Sequence, residues 1–130
     1  MPTIERYCPP GVFNPGTYSQ AIEVTGAQRL LVLSGQVAYD ERGGAQFPGD
    51  FAAQAREVFR NIRVLVEARG GTLAHVVKIN TYLTDMSHRD AFIAIRREVF
   101  GAHPPASTLL QVAGLAHPGW LIEVEALAAL

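Results

Sequence analysis

Two rhythms of apolar and polar residues run through the chain. From Phe51 the apolar residues Phe51, Ala55, Val58, Phe59, Ile62, Leu65 and Val66 recur at helical steps, separated by Gln54, Arg56, Glu57, Arg60, Arg63 and Glu67. This predicts an amphipathic helix of about five turns, with Asp50 as its N-cap and Gly70-Gly71 as its stop. A second helix is predicted over Ala91 to Phe100, with Asp90 or Ser87 as cap, Phe92, Ile95 and Val99 as the inward stripe, and Gly101 at its end. Elsewhere the period is two. Val76 to Leu83 is rich in β-branched and aromatic residues and reads as a strand. Ala21 to Thr25 and Arg29 to Leu33 read as two strands tightly joined across Gly26-Ala27, a hairpin, the second running into Ser34-Gly35-Gln36. Pro104 and Pro105 cannot donate to a ladder, so the next strand begins only after Ala106. In the last strand, around Leu121 to Ala126, Ile122, Val124 and Ala126 face one way and Glu123 and Glu125 the other.

Met1 to Gly16 is rich in proline and glycine, which predicts an extended, turn-rich lead-in. The whole is read as one domain over residues 1–130. The order strand, strand, helix, strand, helix, strand, strand predicts an α+β fold, a single sheet with two helices packed on one face. The other sheet face then lacks a cover, and a homo-oligomer is the expected solution.

Composition narrows the function. With 48% hydrophobic residues and a net charge of −1, the chain is neither disordered nor equipped with the basic stripe of a nucleic-acid surface. No apolar run approaches the length of a membrane span, and the lone Cys8 has no partner for an internal disulfide. A cytoplasmic protein without membrane or nucleic-acid partners is expected. The glycines form no phosphate-binding or dinucleotide pattern, and no His or Cys spacing suits a metal, so neither cofactor nor metal is expected.

The candidate chemistry lies near the C-terminus. Ser107 and Thr108 stand at a strand mouth, and Glu123 is a carboxylate which, in a desolvated cleft, would have the raised pKa useful for activating water. Alternatively, the Glu123 and Glu125 pair is a solvated strand face or a structural plug. Tyr18, Ser34 and Gly35 are candidates for lining a cleft, or for core packing and a turn. Ser107 has no visible His and Asp partners for nucleophilic work, which favours ligand binding. Cys8 in its proline-rich loop is a weak nucleophile candidate, and His103 and His117 read as loop structure.

Several separated segments together resemble one family. Gly16-Thr17-Tyr18-Ser19-Gln20-Ala21, Leu33-Ser34-Gly35-Gln36, Gly49-Asp50, Val76-Val77-Lys78 through Leu83-Thr84-Asp85-Met86, His103-Pro104-Pro105-Ala106 and Ile122-Glu123-Val124-Glu125-Ala126 are similar, in order, to the reactive intermediate deaminase family, also called YjgF/YER057c/UK114. The resemblance implies a chorismate-mutase-like α+β fold and a homotrimer whose sheets line a barrel-like core. It also implies small-molecule clefts between subunits. Members with deaminase activity hydrolyse enamines and imines such as 2-aminoacrylate. Their cleft holds the substrate carboxylate with an arginine in a Pro-Ala-Arg-Ser type motif, and a glutamate on the last strand positions water. In this alignment Glu123 occupies the glutamate position, Ser107 the arginine position, and the apolar Ile93 a position polar in many relatives. Removing a buried charge partner typically costs about 3–5 kcal/mol, so standard 2-aminoacrylate deamination is not expected to carry over. A less charged ligand is expected instead, with Glu123 as the catalytic residue and Tyr18, Ser34, Gly35, Ser107 and Leu109 binding the ligand. The sequence leaves open whether Arg29, Arg89 or Arg96 swings in to replace the missing guanidinium. The alternative is a trimeric small-molecule-binding or chaperone-like module without catalysis.

Overall fold

The computed structural model describes residues 1–130. Its strands are β1 (Thr3–Tyr7), β2 (Ala21–Thr25), β3 (Leu30–Gln36), β4 (Val76–Leu83), β5 (Ala106–Gln111) and β6 (Ile122–Ala129). Helix α1 (Phe51–Glu67) follows β3, and α2 (Arg89–Phe100) lies between β4 and β5. Short 3-10 turns at Leu73–His75 and Met86–His88 precede β4 and α2. Four strands make a mixed sheet in the order β3-β6-β4-β5, with β5 parallel to β4 and the other pairs antiparallel.

Both helices lie on one face of this sheet, as the periodicities predict. Asp50 caps α1 by accepting from the Ala53 N–H at 3.0 Å, and Gly70 takes the positive φ that turns the chain after the helix. The α1 stripe of Ala55, Val58, Phe59 and Ile62 meets Ile79 and Leu83 of β4, Ile122 and Val124 of β6, and Phe92 and Phe100 of α2 in one core. Phe59 and Phe100 meet edge to face, their centroids 5.5 Å apart. Each large side chain buried here is worth roughly 1.5–3 kcal/mol relative to exposure.

The other face is open. Along β6, Ile122, Val124 and Ala126 point to the helices and are buried, while Glu123 and Glu125 alternate with them. The register sets Tyr82 beside Glu123, Asn80 beside Glu125 and Val32 beside Leu127, so these residues share the helix-free face. Val32 is 72% exposed and Leu30 62% exposed on that side. No helix is long and apolar enough to cross a membrane.

Three expectations are corrected. The lead-in contains a strand, β1, paired antiparallel with β2 from Thr3↔Thr25 to Tyr7↔Ala21. The expected hairpin between β2 and β3 does not form, and the strands belong to two sheets rather than one. Leu31 and Leu33 of β3 can reach the helix layer only beside β6, and the Gln28 and Arg29 N–H groups, both donating to Leu130 O, draw the chain there. Finally, neither Asp90 nor Ser87 caps α2. His88 occupies the cap position without a side-chain bond, and Asp85 instead caps the preceding 3-10 turn through the Ser87 N–H.

Candidate functional site

At the β5 edge, on the helix side of the sheet, lies a cleft of about 370 Å³. The loop before β2 supplies Thr17 and Tyr18, α2 supplies Arg89, Ile93 and Arg96, and β5 supplies Ser107 and Leu109, with Met86 at the turn before α2. Ser107 and Leu109 lie on this side because β5 pairs them with the buried Ile79 and Thr81 of β4. The loop is tied to the segment before β5: Ser19 N–H donates to Pro105 O at 3.1 Å and Ser19 Oγ to Pro104 O at 2.6 Å. From β1, Arg6 Nε also donates to Pro104 O. Carbonyls of residues that lack an N–H thus anchor the wall of the cleft.

Arg96 is the unusual residue of this wall. Only 3% exposed, it donates from Nη1 to Ser107 Oγ at 2.9 Å and from Nη2 to Thr17 Oγ1 at 3.2 Å. Its Nε is buried without an acceptor, and no carboxylate pairs with it. The rings of Tyr18 and Phe92 lie 5.3 and 5.4 Å from its guanidinium carbon. Burial lowers its pKa below the usual arginine value; Tyr18 opposes this fall and the charge of Arg89 adds to it. Arg89 pairs with Asp90 in solvent at 3.0 Å, a pair worth about 0–1 kcal/mol. Two guanidinium groups therefore face a cleft whose lining contains no acid.

A second group of polar residues occupies the open face. Gly35 sits where the β3–β6 register slips between Leu33 and Gln36. The Glu123 carboxylate rests so close over its Cα that an added Cβ would lie 2.7 Å from Glu123 Cδ. Desolvation, then the charge of Glu125, pushes the Glu123 pKa up. Tyr82 Oη donates to Glu125 Oε1 in a short hydrogen bond, and that bond, burial and the two carboxylates raise the tyrosine pKa.

The endoribonuclease L-PSP family model matches residues 13–130. The chain belongs to this family, the RidA or YjgF/YER057c/UK114 family. A RutC family protein of Pyrococcus horikoshii is 37% identical over 113 residues, 87% of this chain and 86% of that protein. The mouse 2-iminobutanoate/2-iminopropanoate deaminase is 34% identical over 113 residues, 87% of this chain and 81% of its own. The crystal structure of a Rid-family protein from Yersinia pestis superposes with a TM-score of 0.87 at 31% identity, covering 98% of both chains.

Within one chain of this RidA-family protein, the residues singled out from sequence separate into two groups. Tyr18, Ser107 and Leu109 come together in the cleft, whereas Ser34, Gly35 and Glu123 lie at or on the opposite face. Ser107 accepts from Arg96, and Arg89 and the apolar Ile93 lie beside it in the cleft lining. Arg96 stood in sequence only as one of three possible cations. Its four-residue spacing from Phe92 and Phe100 was the signal, since a charge on the buried stripe of a helix needs a reason. His117 Nδ1 accepts from the Gly119 N–H and the ring tilts against Trp120, a turn as expected. Cys8 Sγ contacts Val12 O in its own loop. No three His, Cys, Asp or Glu side chains gather as a metal site.

Proposed function

We propose that copies of this chain associate as a homotrimer through the open sheet face. The cationic cleft of one chain then meets the Glu123–Gly35 face of its neighbour around a small imine-, enamine- or carbonyl-type metabolite. The carrying observation is the seat of Glu123, a carboxylate of raised pKa against a glycine. Exposed Val32 and Leu30 beside it supply apolar area for association. The deaminase name of the mouse relative supports hydrolysis as the chemistry. In that reaction Glu123 takes a proton from water as the oxygen adds to the C=N carbon and passes it to the imine nitrogen, giving a carbinolamine. Glu123 then moves the hydroxyl proton to the amine as the C–N bond breaks, so that ammonia leaves and a keto acid remains. A glutamate whose pKa is raised by desolvation and by Glu125 suits both transfers, and such catalysis contributes typically about 10²–10⁴ in rate.

The test couples sedimentation mass to release of ammonia and keto acid from 2-iminobutanoate generated in situ. A trimer that turns the imine over, and a Glu123→Gln variant slowed about a hundredfold or more, support the reading. A monomer, or a variant as fast as the parent, refutes it. A trimer that binds ligand without turnover is the binding module instead.

A further inference from the structure

We infer that Tyr82 is a positioning residue of the Glu123 site: by hydrogen-bonding to Glu125 it fixes which of two neighbouring carboxylates takes a proton, and leaves that proton to Glu123. This deepens the proposed function by naming a residue that tunes its acid–base group, and it rests on that reading only for the use made of the proton.

Glu123 and Glu125 stand two residues apart on β6 and project from the same face. Like charges so placed disfavour one another, and the first proton the pair takes up goes to the carboxylate less well served by donors. Tyr82 lies opposite Glu123 in the β4–β6 register, yet its Oη donates along the diagonal to Glu125 Oε1. A donated hydrogen bond favours the ionised form of the carboxylate that accepts it. Glu123 receives none: burial against Gly35 and the charge of Glu125 are what act on it. Two acids of the same chemistry are thereby made unequal.

The surroundings supply no competing cause. On the β3 side of Glu123 are Ser34, Gly35 and Gln36, none of them titratable. On β4, beyond Tyr82, come the neutral Asn80, opposite Glu125, and Lys78, whose ammonium donates to Thr108 Oγ1 of β5 at 3.0 Å. Both helices pack on the other face. A phenylalanine would pack as the tyrosine ring does, so what the hydroxyl adds is its bond to Glu125. The phenol keeps its own proton throughout, because that bond, burial and the two carboxylates push its pKa up.

The experiment follows the side-chain carboxyl carbon of Glu123 by NMR through a pH titration of the full-length protein, alongside the pH profile of imine turnover. In Tyr82→Phe the Glu123 midpoint is expected about half a pH unit or more below that of the parent. The acid limb of turnover moves down with it, and the plateau rate falls about two- to fivefold. Glu125→Gln lowers the midpoint at least as far, and Tyr82→Phe adds no further shift in that background, because Tyr82 acts through Glu125. An unmoved midpoint in Tyr82→Phe, or a shift that persists undiminished in the Glu125→Gln background, overturns the inference. Should Tyr82→Phe fail to fold, Glu125→Gln decides alone, an unmoved Glu123 midpoint there being the refuting result. A midpoint that falls in a protein without turnover would sink the proposed hydrolysis and leave the proton assignment standing; turnover that depends on Glu123, with the midpoint unmoved in Tyr82→Phe, would do the reverse.

Discussion

Replacing Gly35 by alanine moves one functional group and little else. The new methyl would sit 2.7 Å from Glu123 Cδ and 2.9 Å from Cγ, and closer still to Oε2, so the carboxylate must leave its seat. Gly35 is not among the glycines of positive φ, so the backbone accepts alanine without strain. Swinging the glutamate costs about 0.5–1.5 kcal/mol if it ends off a staggered rotamer, and the loss of glycine freedom in the unfolded chain returns about 0.4–1 kcal/mol. The two nearly cancel, and the urea midpoint is expected to shift by less than the equivalent of about 1 kcal/mol. The sole tryptophan, Trp120, 7% exposed, reports unfolding by fluorescence. Turnover of 2-iminobutanoate is expected to fall about a hundredfold in the same preparation, because a general acid or base works only within hydrogen-bond reach. A variant with full activity would show that the seat of Glu123 over Gly35 is irrelevant to function. A loss of about 3 kcal/mol or more in stability would show the carboxylate to be a locked structural plug.

Two further perturbations separate fold from site. Glu123 has a raised pKa when folded, so the folded state binds more protons than the unfolded one from about pH 4.3 upward to the raised value, and stability falls as pH rises through that window; Glu123→Gln should flatten this slope in urea titrations, and a parallel slope in the variant would contradict the assignment. Gln54, fully buried, donates to Phe47 O and Gly119 O and accepts from the Leu121 N–H, so Gln54→Ala is expected to cost about 2–4 kcal/mol with a red shift of Trp120 emission, and a loss below about 1 kcal/mol would mean that water replaces all three bonds.

The elements legible in sequence are those whose period is set by a single buried face. Helix α1 and strand β4 begin and end where their patterns predict, because the core on one side and solvent on the other dictate every residue. Strand β1 was illegible for the opposite reason: in Thr-Ile-Glu-Arg-Tyr only Ile4 is aliphatic, and the inward-leaning Arg6 is held by carbonyl bonds rather than by burial in a core. Pairing was the other gap. Alternation assigns Glu123 and Ser107 each to a face of its own strand, but which faces coincide depends on the β4–β5 and β4–β6 registers, and these follow from long-range packing.

Those registers make the sheet itself the partition of the site. Ser107 shares its face with Ile79 and the helices, Glu123 shares its face with Tyr82 and solvent, and no side-chain motion within one chain carries either through the sheet. Under the proposed function, the Arg96 cleft and the Glu123 carboxylate, on opposite faces, serve one ligand when a second chain supplies the missing half. The same geometry explains why a small hydroxyl suits position 107. A guanidinium there would occupy the space of Arg96 and repel it, whereas Ser107 accepts from it. Serine on the strand and arginine on the buried stripe of α2 are complementary choices, each of which makes sense of the other.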